Sequence, residues 1–107
     1  MINYLDIKNF NPRMKQDKIT KEKLEKYSNL SSKALSIIKK NIVKNKEKEA
    51  KEIIKMAEDY LSDAKFFEKK QDYVNAFAAL NYAHGWIDSG VRLGVFSVSD
   101  NKLFTIK

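Results

Sequence analysis

The polar residues best suited to chemistry lie in one stretch near the carboxyl end of the chain. Steps of three, four and four residues separate Asn81, His84, Asp88 and Arg92. Side chains at these spacings are neighbours on one face of a helix and can hydrogen-bond or form ion pairs. Because imidazole titrates near neutral pH, His84 tuned by Asp88 is a candidate general acid or base. The alternative is a purely structural role, which is the commoner one for a lone histidine.

No further signature of catalysis or metal binding accompanies this histidine. The chain has no cysteine and no second histidine, which excludes thiol catalysis, thiolate metal sites and disulfide bonds. It also lacks a Gly-rich phosphate loop, a nucleophile motif and the Glu-x-x-His signature of di-iron proteins. We therefore expect no metal and no cofactor, identify no small-molecule substrate, and predict that the protein is not an enzyme.

Aromatic residues beside this polar line suggest a surface for a macromolecular partner. Exposed rings mark interaction sites, although rings in a small helical protein more often lie in the core. Asp63 lies at the edge of an apolar stripe, from where it can approach His84 or Arg92. The predicted surface, for a protein partner or a second copy of the chain, consists of Tyr60, Asp63, Tyr82, His84, Trp86, Asp88 and Arg92.

The positive charge of the chain is concentrated in its first half. Residues 1–53 carry 14 Lys or Arg against 7 Asp or Glu, whereas residues 54–107 carry 7 of each. A lysine line of about 27 Å on the first helix, opposite its apolar face, suits a polyanion. The alternative function is thus sequence-independent nucleic-acid binding, and the plainer interpretation is a solvated helix face. The lysines are Lys26, Lys33, Lys40 and Lys44.

Three helices must position these residues. Apolar side chains recur at three- and four-residue steps in each, and the first two stripes are out of phase, which places a break near Asn45. Thr20 and Asp72 suit the N-caps of the first and third helices, and Gly94 suits the left-handed position after the third. The predicted helices cover residues 21–44, 47–69 and 73–93.

Three amphipathic helices with short connections predict an all-α fold, an antiparallel up-and-down three-helix bundle that forms a single domain over residues 1–107. The third helix should be central, because small and large residues alternate along its apolar stripe. The stripe consists of Ala76, Leu80, Ala83, Ile87, Gly90 and Gly94. The first 17 residues are predicted to be an irregular or extended lead-in. The tail, residues 95–107, is predicted to form a short hairpin that meets these first residues.

The sequence contains neither an apolar run long enough for a membrane span nor a secretory signal at its start. We therefore expect a cytoplasmic protein with no membrane partner.

The third helix also carries a resemblance to a known family. Asp63, Ala64 and Phe67 on the second helix, followed by the stretch YAHGWIDSGVRLG at residues 82–94, resemble a family of short archaeal proteins. That family is known as domain of unknown function 357. The resemblance is densest over residues 50–96. It implies a three-helix bundle of archaeal origin, and it brings no activity, cofactor or catalytic residue.

Overall fold

A computed structural model describes residues 17–100, 103 and 104 of the chain. Within these residues three helices pack against one another, most extensively α2 against α3. They are α1 (Lys21–Lys39), α2 (Glu47–Lys69) and α3 (Tyr73–Arg92). The described residues contain no strand, only an isolated antiparallel bridge between Ile42 and Phe96. The all-α three-helix bundle is confirmed.

The amino ends of α1 and α3 have the predicted caps. The Thr20 hydroxyl accepts a hydrogen bond from the Lys23 backbone N–H at 3.1 Å, and the Asp72 carboxylate accepts one from the Asn75 N–H at 3.2 Å. Each cap satisfies a donor that the first turn of a helix leaves without a partner. After α3, Gly94 adopts a φ of +78°, a conformation that a residue without a Cβ takes at little cost.

The first helix ends five residues earlier than predicted. Helix α1 stops at Lys39, and Lys40 is its C-cap, so the predicted range 21–44 is wrong at its end. Beyond the helix the Val43 N–H donates to the Val95 carbonyl at 2.9 Å, and the Ser97 N–H donates to the Asn41 carbonyl at 2.8 Å. These backbone groups pair with the tail and cannot also continue the helix. The chain then turns at Asn45, with a φ of +73°.

The small residues of α3 bring its neighbours close, as their spacing predicts. Ala76, Ala83 and Ile87 are fully buried. At Gly90 the packing is tighter still, since a Cβ there would lie 2.5 Å from the Phe96 ring and 2.9 Å from the Ile53 Cδ1. The inner face of α3 therefore contacts both α2 and the tail. Gly94, the last predicted member of the stripe, is exposed.

The predicted tail hairpin is not found among residues 95–100, 103 and 104. Instead Val95, Phe96, Leu103 and Phe104 are buried in the core. Asp100 organises the turn between them: its carboxylate accepts from the Leu103 N–H at 3.3 Å, and its carbonyl accepts from the Phe104 N–H at 3.2 Å. Burial of apolar side chains outweighs strand pairing here. The predicted lead-in lies outside the described residues, except for Asp17.

Candidate functional site

His84 lies in the core of the bundle. The side chain is buried, and each ring nitrogen has a partner from a different part of the chain. Nδ1 lies 3.2 Å from the Ser31 hydroxyl on α1, and Nε2 lies 2.8 Å from the Leu103 carbonyl in the tail. One imidazole thus joins α1, α3 and the tail. Its predicted place on an exposed surface is wrong, because tail and α1 together cover it.

These partners determine the tautomer of the neutral ring. A carbonyl oxygen only accepts, so Nε2 carries the proton and donates to Leu103, while Nδ1 accepts from the Ser31 hydroxyl. Burial lowers the pKa of His84 below its ordinary value of 6.5, and the nearby Asp88 and the Leu103 carbonyl only partly offset this. The neutral ring is therefore the favoured form at neutral pH.

Asp88 lies beside the ring without closing a hydrogen bond to it. Its carboxylate is 3.6 Å from Nε2, beyond hydrogen-bonding distance. The predicted approach of Asp63 to His84 or Arg92 is also not observed: Asp63 is exposed, and no hydrogen bond or ion pair links it to either residue within the described part of the chain. The expected polar cluster thus reduces to His84 and Asp88.

The predicted aromatic residues lie at the boundary between α2 and α3. The Tyr60 and Tyr82 ring centroids are 4.9 Å apart, with 31° between the planes. Tyr82 is 62% exposed even with this contact, and Trp86 is partly buried against the core. Arg92 is exposed at the end of α3. Two of the predicted surface residues are thus in direct contact, and an aromatic side chain remains largely in solvent.

A shallow apolar groove of about 480 Å³ runs along the outer face of α3 beside Tyr82. Its floor is Gly85, where an added Cβ would have no atom within 4 Å. Asn81, Tyr82, Trp86 and Ser89 form the sides, and the Asn81 Oδ1 is buried with no hydrogen-bond partner among the described residues. Gly85 and Ser89 were not predicted as site residues. The signal that points to them is the absence of charged residues along this part of α3.

The four predicted polyanion-binding lysines are all exposed, yet they do not share one helix. Lys26 and Lys33 lie on α1, Lys40 is the C-cap, and Lys44 lies in the turn beyond it. The predicted straight line of about 27 Å is therefore wrong from Lys40 onward, because α1 ends at Lys39.

A second lysine group forms where α1 begins and α2 ends. It lines a cleft of about 340 Å³ made by Lys21, Lys65, Glu68, Lys69, Gln71 and Tyr73.

No group of three His, Cys, Asp or Glu residues in the described ranges is placed to hold a metal ion. Among the helices of the same residues, none has the length and apolar character that crossing a membrane requires.

The model of one family, described as protein of unknown function (DUF357), matches residues 26–96, which is more than half of the chain. The chain belongs to the DUF357 family. The resemblance of the third helix is thereby confirmed at the level of the family. The matched residues run from the second turn of α1 to the Phe96 bridge, so the DUF357 region contains both His84 and the groove. No curated protein and no solved structure matches the chain.

Proposed function

We propose that this DUF357 protein is a non-catalytic interaction module that binds a protein partner through the outer face of α3 and the adjoining Tyr60 of α2. The observation that carries the proposal is the groove at Gly85, with Tyr82 beside it 62% exposed. Large apolar side chains held in solvent along a concave face are typical of interaction sites. The contact with Tyr60 orders the Tyr82 ring before binding, which reduces the entropy lost on association.

The geometry of His84 supports a non-catalytic module. A general base must reach a substrate proton within about 3 Å, directly or through one water. Both ring nitrogens of His84 instead contact protein atoms, and the side chain is only 5% exposed. The residue most suited to catalysis by type therefore serves to hold the fold together.

Site-specific photo-cross-linking tests the interaction surface. Tyr82 is replaced by benzoylphenylalanine in the full chain, which is then irradiated in the source cells. A matched control carries the same residue at Ser36, an exposed position on α1. We expect a discrete covalent adduct from position 82, weakened by Gly85→Glu and absent from position 36. If position 82 yields no more adduct than position 36, the proposal fails.

A second candidate function, polyanion binding, is favoured by the placement of the lysines. Lys26 and Lys33 are exposed on α1, and the ion pairs among the described residues include neither of them. The Lys26 Nζ lies 5.5 Å from the centroid of the Tyr27 ring. Lys21, Lys65 and Lys69 meet in the cleft at one end of the bundle. Lysines present point charges to phosphates without the bidentate geometry of arginine. The expected binding is therefore indifferent to base sequence.

Fluorescence anisotropy with labelled RNA and DNA tests this second candidate. If three phosphates are contacted, affinity should fall about 40-fold between 50 and 200 mM salt. The variant Lys21/Lys26/Lys33→Glu, with all three positions exposed on α1, should lose binding, whereas Lys48/Lys51/Lys55→Glu, with the same change of charge on α2, should retain more of it. Equal losses in the two variants would indicate a nonspecific effect of net charge and would exclude the α1 lysines as the site.

A further inference from the structure

The outer face of α3 differs from the rest of this highly charged chain. Charged residues make up 33% of the sequence, yet no Asp, Glu, Lys or Arg occurs between Asp72 and Asp88. The inner face of α3 is covered by α1, α2 and the tail. A helix that is apolar or uncharged all round is typically buried on all sides. The outer face of α3 therefore has the character of a contact surface along four turns.

The exposed residues of this face form a regular row. They are separated by steps of four, four, three, four and four residues, the pattern by which one helix presents a seam to another. Val74 and Leu93, at the ends of the row, are 69% and 75% exposed. The row, here called the α3 seam, consists of Val74, Ala78, Tyr82, Gly85, Ser89 and Leu93, all of them exposed.

The order of the steps in the α3 seam is the same from either end. A second α3 laid antiparallel along it therefore aligns all six positions in one register, whose two-fold axis passes between Tyr82 and Gly85. In this register each Tyr82 ring lies over the Gly85 of the other copy, Ala78 faces Ser89, and Val74 faces Leu93. Large side chains meet small ones at the centre, where Gly85 has room for them. Such self-complementarity is what a two-fold interface requires.

We propose that a second copy of this chain occupies the α3 seam, in an antiparallel two-fold dimer. This inference rests on the proposed function and names the partner. One charge pair supports the antiparallel direction: Asp72 lies at the amino end of α3 and Arg92 at its carboxyl end, so this register places each Asp72 within one turn of Arg92 of the other copy. It also aligns the helix dipoles favourably, whereas a parallel arrangement places like ends side by side.

Oxidative cross-linking tests the register, and the chain suits it because it has no native cysteine. Residues 78 and 89 lie about 16 Å apart on one helix, too far for a disulfide within one chain, which needs Cα atoms about 4.4–6.8 Å apart. Ala78→Cys/Ser89→Cys should therefore form a covalent dimer under mild oxidation. Ala78→Cys alone should not, since residue 78 of each copy is also about 16 Å from residue 78 of the other.

Each outcome of the cross-linking experiment bears on the proposal. A covalent dimer from the double variant alone supports the antiparallel register. Efficient dimer formation by Ala78→Cys alone indicates a parallel or shifted pairing and overturns it. A double variant that stays monomeric at the highest attainable concentration overturns the dimer altogether.

Sedimentation velocity of the unmodified full chain provides an independent measurement. The mass should shift from monomer to dimer over about a hundredfold range of concentration, and Gly85→Glu should abolish the shift, because it places a charge under Tyr82 of the other copy. Position 85 is open within the monomer, so this variant should keep its circular dichroism spectrum. Ser36→Glu, with the same charge on α1, should dimerise normally.

The mass of the photo-adduct at position 82 distinguishes the dimer from the more general proposal that the outer face of α3 binds a protein partner. An adduct of twice the chain mass supports the dimer. An adduct of another mass, with a chain that sediments as a monomer throughout, overturns the dimer and retains a different protein as the partner. No adduct at all overturns both.

Discussion

The two faces of α3 use the same residue type for opposite purposes. On the inner face, a Cβ at Gly90 would lie 2.5 Å from the Phe96 ring, so glycine is what permits the tail to contact the helix. On the outer face, a Cβ at Gly85 would meet nothing within 4 Å, so glycine there leaves a groove. Close packing within a single chain explains the glycine at position 90. No contact among the described residues explains the glycine at position 85.

The polar groups on the two faces of α3 also differ, in whether they have hydrogen-bond partners within the chain. His84, on the inner side, uses both ring nitrogens in hydrogen bonds within the protein. Asn81, in the groove, has a buried Oδ1 with no hydrogen-bond partner among the described residues. Buried polar atoms in folded proteins are nearly always paired. The polar ring of the inner face is thus paired within the chain, whereas the groove keeps one buried oxygen, Asn81 Oδ1, without a partner among the described residues.

The largest expected difference in stability between the two faces of α3 comes from substituting His84. His84→Ala should lower the free energy of unfolding by about 3 kcal/mol, because it leaves a cavity and removes the donor to the buried Leu103 carbonyl. Urea denaturation measures the change. The control is Ser89→Ala on the outer face, which should change it by less than about 0.5 kcal/mol. Similar values for the two variants would contradict a structural role for His84.

The next effect is at the inner glycine. Gly90→Ala should lower the free energy of unfolding by about 1–3 kcal/mol, because the new methyl group displaces Phe96 and Ile53 from their places in the core. Thermal denaturation would detect it as a lower Tm. A Tm equal to or above that of the unmodified chain would show that the tail packs more loosely against α3 than the structure indicates.

At Gly85, on the outer face, the same substitution should stabilise the protein instead of destabilising it. Gly85→Ala should raise the free energy of unfolding by about 0.5–1 kcal/mol, because alanine favours helix and the added methyl group contacts nothing in the monomer. The measurement belongs at low protein concentration, where a dimer does not contribute. A destabilised variant would mean that the outer face is already covered within one chain.

The smallest expected effect is a dependence of stability on pH. Because the folded pKa of His84 lies below 6.5, the unfolded chain binds more protons in the interval between that pKa and 6.5. Stability should therefore fall as the pH is lowered below about 6.5 and be fully present above it. Urea denaturation at a series of pH values tests this, with His84→Gln as a variant that cannot titrate there. The same slope in His84→Gln would assign the effect to other groups.

Much of the fold was predictable because its determinants are local. The caps at Thr20 and Asp72 act over three residues, and the apolar stripes repeat within a few turns. Helix α2 has the predicted bounds, Glu47–Lys69. The break near Asn45 was predicted from the phase of the stripes, and there the chain adopts a left-handed turn.

The candidate site was predictable only in part. Tyr60 and Tyr82, which the sequence places on one predicted surface, are in contact. Gly85 and Ser89 are small residues outside any chemical motif, so the types and spacing of reactive side chains do not point to them. The sequence signal that does point to this face is the absence of charged residues between Asp72 and Asp88.

By itself, the sequence determined the family, the presence of three helices, the N-caps of α1 and α3, and the close-packed inner stripe of α3 from Ala76 to Gly90. The family follows from the resemblance of residues 50–96. The helices, the caps and the stripe follow from periodicity and from hydrogen bonds between residues a few positions apart. Only the tertiary structure decided where α1 ends, where the tail lies and that His84 is buried. The hydrogen-bond partners of His84 lie 53 and 19 residues away in the sequence. Helix α1 ends because the backbone just after it, at Asn41 and Val43, pairs with residues next to Phe96. Contacts between segments so distant in sequence form only once the helices have packed, and no local pattern encodes them.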